Sequence, residues 1–157
     1  MDCAAGWLGG GIAIYRFVGP QERVTIVVGL IAGIVGFCYF VQQQKLAEAQ
    51  LFKQLFTEFN ERYDQMNGDL ADIRDVSTPC TAAGKKTLID YFNLCGEEFL
   101  FYSEGYIHPK VWRSWCRGIL WYLAATHIRS VWDNEVQREQ NTYYDLTIEE
   151  LRKGAKL

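Results

Sequence analysis

Eighteen consecutive residues, Val24 to Val41 (VTIVVGLIAGIVGFCYFV), carry no charge, and this run constrains the chain more than any other feature. At about 1.5 Å per residue a helix of that length spans roughly 27 Å, close to the hydrocarbon thickness of a bilayer; a buried core helix more often carries an apolar run of about 10–14 residues. Glu22 and Arg23 stop the run on one side, and Gln42, Gln43, Gln44 and Lys45 on the other. Tyr39 and Phe40 stand near one end, where interfacial aromatics collect. The expectation is a transmembrane helix over residues 24–41, preceded by a leader over 1–23. A cleaved signal peptide fits poorly. The region before the run begins with Asp2, and the A-x-A triplet Ala47-Glu48-Ala49 lies inside a charged helical pattern. A lipoprotein site at Cys38 follows bulky Phe37 and fits no better. An uncleaved signal anchor is therefore expected.

Small residues notch this helix. Gly29 and Gly33 form a G-x-x-x-G pair, and Ala32 with Gly36 repeats the spacing one face over. Such notches let backbones approach closely, which favours helix association in lipid. The expected partners are the lipid bilayer and, through the notch, another membrane protein or a second copy of this chain. Arg16 and Arg23 on one side balance Lys45 and Lys53 on the other, so loop charge barely decides orientation. Cys80, Cys95 and Cys116 have no disulfide-framework spacing, and unpaired thiols suit a reducing compartment. That favours a cytoplasmic C-terminal domain. The Gly9-Gly10-Gly11 run argues against a stable helix in the leader.

Residues 42–157 read as a helical bundle. Ala49, Phe52, Phe56, Phe59, Tyr63, Met66, Leu70 and Ile73 recur at alternating steps of three and four, with Leu51 and Leu55 widening the stripe. Ser77-Thr78-Pro79 ends this helix and offers a start for the next. Leu88, Phe92, Cys95, Phe99 and Tyr102 carry the same spacing until Gly105. His108-Pro109 opens a third helix with Trp112, Trp115, Ile119 and Leu123 on its apolar side, expected to run to Ile128 or Trp132. Asn141-Thr142 marks a polar break, and Thr147 with Glu150 forms a capping box before a short final helix. No segment alternates as a strand. The expected fold is all-α: one transmembrane helix followed by a three-to-four-helix bundle. The aromatic share of 15% excludes a disordered tail, and a net charge of −3 disfavours a nucleic-acid partner.

Two segments carry a resemblance. Residues 51–67 contain the motif F-N-x-R-Y-D, and residues 90–115 contain Y-F-N-L-C-x-E-E-x-L-F-Y. Together they resemble an uncharacterised family of bacterial, membrane-anchored helical proteins. The resemblance implies a bacterial source, hence the inner membrane, and a helical domain. It implies no catalytic residue. His108 stands before the third helix where members of the group often carry an acidic or neutral cap.

Asn60, Asp64 and Glu98 are candidate buried polar residues. Asp64 and Glu98 could form a carboxylate pair for acid–base work, as a hydrolase or nuclease requires. The competing expectation pairs one of them with Arg113 or Arg117 across a helical hairpin. No nucleophile or phosphate loop accompanies the acids, so no catalytic residue is assigned. Two histidines without a C-x-x-C or Glu-x-x-His pattern give no metal ligands, and no cofactor motif occurs. Cys95 lies on an apolar stripe and reads as an inert core thiol. Trp112 and Trp115 fit the core, whereas Trp121, Tyr106, Arg113 and Arg117 form the candidate partner surface. The functional expectation is a non-enzymatic, membrane-anchored helical interaction module, an accessory or regulatory subunit of a membrane assembly. The alternatives are a membrane effector of a stress or phage-defence system, and the hydrolase or nuclease using Asp64 and Glu98.

Overall fold

The structure is a computed structural model and describes residues 19–75, 81–138 and 142–156. Five α-helices account for most of them: α1 (Pro20–Asp75), α2 (Ala82–Ser103), α3 (Pro109–Leu123), α4 (Thr126–Arg138) and α5 (Ile148–Gly154). Among the described residues there is no strand. The leader up to residue 18, Ser77-Thr78-Pro79, Cys80 and Asn141 lie outside the described residues. The chain divides into two compact units, residues 1–47 and 48–157, with the boundary inside α1.

In the first unit α1 starts on paired local devices. Pro20 occupies the first helical position, where its missing N–H costs nothing. The Gly19 N–H donates to Glu22 Oε2 at 3.1 Å, the reciprocal half of a capping box. The apolar run that follows is long and apolar enough to cross a membrane, by length and composition. None of that stretch is buried within the protein.

The second unit is built around α2. Leu88, Tyr91, Phe92, Leu94, Cys95 and Glu98 are all buried, so this helix is covered on more than one side. Its ends are well specified. The Thr81 hydroxyl accepts from Gly84 N at 3.1 Å. At the other end Gly105 takes φ +83°, Gly105 N donates to Tyr102 O, and Tyr106 N donates to Phe101 O. That is a Schellman closure, and the Phe101 and Tyr106 rings supply its accompanying apolar contact at 6.1 Å. The bonding requires a left-handed residue, hence glycine.

The C-terminal part of α1 (residues 48–75) docks through aromatic rings. Phe59 meets Phe101 at 5.7 Å and Trp115 at 5.9 Å, and Tyr63 meets Tyr91 at 6.2 Å. The expected stripe is buried at Leu55, Phe59 and Leu70, while Phe56 is 39% exposed although stacked on Trp115. The last turn of α1 leaves carbonyls without helical partners. His127 Nε2 donates to one of them, Ile73 O, at 2.8 Å, tying α4 to the end of α1.

His108 caps α3 through Nδ1, which accepts from Lys110 N at 3.1 Å, with Pro109 next in the first turn. The helix does not run on to Ile128 or Trp132. It stops at Leu123, and Ala125 N donates to Tyr122 O in a tightened last turn. The restart at Thr126 lets α4 bring Trp132 edge-on to Phe92 at 5.0 Å.

Between α4 and α5 the backbone turns left-handed. Tyr143, Tyr144 and Asp145 have φ of 58°, 56° and 64°. Each such residue costs about 1–2 kcal/mol, so packing must hold the turn. Tyr143 is buried, stacked on Trp132 at 5.1 Å and edge-on to Phe92 at 5.9 Å. Gly96 of α2 makes room, because a Cβ there would stand 3.0 Å from Tyr143 Cα, Cβ and O. Thr147 Oγ1 then accepts from Glu150 N at 3.1 Å, as the capping-box pattern predicts.

Candidate functional site

The space between α1, α2 and α3 in the second unit is a cavity of about 250 Å³. Asn60 and Tyr63 of α1, Tyr91 and Glu98 of α2, and Ser114, Trp115, Gly118, Ile119 and Tyr122 of α3 line it. Ser114 and Gly118 are one turn apart and are the smallest lining residues, and a Cβ on Gly118 would meet no atom within 4 Å. These two positions leave the cavity open where larger residues would fill it.

Glu98 is the one carboxyl in this lining and is only 6% exposed. It makes no hydrogen bond or ion pair among the described residues. Loss of water pushes the Glu98 carboxyl up to about 8; the Arg62 guanidinium opposes the shift and Glu97 adds to it. At neutral pH the group is therefore mainly protonated. Arg62 does not neutralise it directly, because both of its terminal nitrogens are held by the Glu97 carboxylate. Tyr63 and Tyr122 share one end of the site. Their hydroxyls are 3.1 Å apart, and Tyr63 Oη donates to Asn67 Oδ1 at 3.0 Å. Asn60 Nδ2 donates back to Phe56 O.

The expected carboxylate pair is not formed. Asp64 is exposed and lies outside the cavity. At 100° per residue it sits about 145° from the centre of the buried α1 face defined by Leu55, Phe59 and Leu70. Asn60 is nearer that face and reaches the cavity beside Glu98. The arginine expected to meet Glu98 is not Arg113 or Arg117. Arg117 Nε donates to Ala155 O at 3.3 Å, and Arg113 Nε is buried without a hydrogen-bond partner. Arg62 makes the cross-helix pair instead, with Glu97.

Trp121 is 52% exposed, with the Arg74 guanidinium 3.6 Å above its ring. Tyr106 is exposed too, but it belongs to the turn before α3 and packs on Phe101. Trp121 lies about 18 Å along the axis beyond Pro109, the first residue of α3, so the two aromatics stand at opposite ends of that helix. Spacing alone did not single out Tyr91, Ser114, Gly118 or Tyr122. The recoverable signal was the Ser114/Gly118 step of four on a helix otherwise rich in large residues. Cys95 and Cys116 are free and buried, and burial pushes both thiols up, Cys116 to about 12. Among the described residues no three His, Cys, Asp or Glu side chains cluster as metal ligands do. No family model, no curated protein and no solved structure matches the chain.

Proposed function

We propose that the chain is a non-enzymatic, membrane-anchored helical interaction module, an accessory or regulatory subunit of a membrane assembly. The observation that carries this reading is the apolar stretch of α1, none of which is buried within the protein. Val24, Ile31, Ile34 and Phe37 are each more than half exposed, a costly arrangement in water and a favourable one in hydrocarbon. Open space around Gly29, Gly33 and Gly36 supports a second helix seated in the notch, with Ala32 on its margin. The exposed Trp121 with its stacked Arg74 supports a contact surface in the second unit. The buried free thiols Cys95 and Cys116 support placing that unit in the reducing cytoplasm. A bacterial inner membrane is the setting that the family resemblance implies.

The test is a Gly29→Leu, Gly33→Leu double variant purified in mild detergent. The expected result is loss of the co-purifying membrane partner, or a smaller oligomer, with the fold of the second unit intact by circular dichroism. An unchanged partner set and oligomer size would remove the notch from the reading.

A further inference from the structure

We propose that the cavity between α1, α2 and α3 is a binding site for a small organic ammonium ion, with Glu98 as its counter-charge and the surrounding rings as its walls. This inference is independent of what the anchor packs against. Three features point to it together. The lining includes four aromatic side chains, Tyr63, Tyr91, Trp115 and Tyr122, around a single carboxyl. Aromatic faces attract cations, most strongly where water is excluded. Glu98 is more than nine-tenths buried and has no hydrogen-bond or ion-pair partner among the described residues, while the nearby Arg62 is already held by Glu97. A buried carboxyl left without a partner in a cavity is what a cationic ligand would complete. The volume of about 250 Å³ suits a choline-sized group rather than an extended substrate.

Charge bookkeeping gives the binding a pH signature. The groups facing Glu98 are Arg62 and Tyr63 from α1, Tyr91, Cys95 and Glu97 from α2, and Cys116 and Tyr122 from α3. Burial pushes Tyr63, Tyr91, Cys95 and Cys116 up, away from the neutral range. Glu98, at about 8, therefore loses its proton to admit a cation. A permanently charged ligand then binds about tenfold more tightly at pH 9 than at pH 7, because the ionised fraction rises by about that factor. A neutral ligand accepting a hydrogen bond from protonated Glu98 would show the opposite trend.

The experiment is calorimetric titration of the full chain in neutral maltoside micelles with choline chloride at pH 7 and pH 9. The neutral isostere 3,3-dimethylbutanol is the control. The expected results are saturable choline binding that strengthens about tenfold with pH, and binding of the alcohol at least about tenfold weaker at pH 9. Glu98→Gln should lose the choline response and its pH dependence while staying folded, with an unfolding midpoint no lower than that of the parent chain. Trp115→Leu should weaken choline at both pH values without removing the pH slope. Mixed micelles identify the source. Competition by phosphatidylcholine but not phosphatidylglycerol assigns a lipid headgroup, and no competition by either assigns a free amine. No saturable binding by about 10 mM choline at pH 9, equal binding of the alcohol, or undiminished binding by folded Glu98→Gln would each overturn the proposal.

Discussion

Glu98 shows how one side chain sets a condition on the whole domain. Its carboxyl ionises near 8 in the folded chain against an ordinary value near 4.5, because burial disfavours the charge. The folded state therefore holds a proton that the unfolded state has released between these two values. Stability from this group is complete below about pH 4.5 and declines as pH rises through about 8. The loss from pH 4 to pH 9 is on the order of 3–5 kcal/mol. Glu98→Gln keeps the shape and removes the titration. Urea denaturation at several pH values should show the two proteins close together at pH 4, with the glutamine variant clearly more stable at pH 9. A parallel decline in both would place the pH dependence elsewhere. The sequence marked Glu98 as a buried polar residue because it flanks the α2 stripe. It suggested the wrong companions, Asp64 and Arg113 or Arg117, because helix phase locates a residue on its own helix and says little about how two helices are rotated against each other.

Among the elements, those with strong local chemistry were legible. Gly105 ends α2, His108-Pro109 opens α3, and Thr147 caps α5, each through bonds that a few neighbouring residues specify. The break between α3 and α4 was not, because Ala124 and Ala125 favour helix and carry no stop signal. It is held by distant contacts, Trp132 against Phe92 and His127 on Ile73 O. The left-handed turn at Tyr143, Tyr144 and Asp145 was illegible for the same reason, since no glycine announces it. Gly154 is the clearest test of packing between elements. A Cβ there would stand 2.5 Å from Cys116 Sγ and 2.6 Å from Trp112 Nε1. Alanine gains about 1 kcal/mol in helix propensity, but overpacking against two buried side chains costs about 1–3 kcal/mol. Gly154→Ala should therefore lower the urea midpoint, and an increase would show that α5 shifts freely on α3.

For the whole molecule, the two units should fail separately. Substituting Ile31→Arg with Ile34→Arg places two charges in the apolar stretch, at about 2.5–3.5 kcal/mol each at a bilayer centre. The variant should leave the membrane fraction on alkaline extraction while the thermal midpoint of residues 48–157 stays unchanged. Retention in the pellet with an unaltered profile would argue against a span. The all-helical class and the apolar run were plain from residue order, since both are local patterns; the cavity was not, since three helices and two small residues on α3 create it. The closure of the core has one more consequence, for biosynthesis. Phe92 is covered by Tyr143, and Trp112 and Cys116 are covered by Gly154. A nascent chain that has emerged only as far as residue 138 must therefore hold these side chains uncovered, until residues 142–156 clear the ribosome and seat against them.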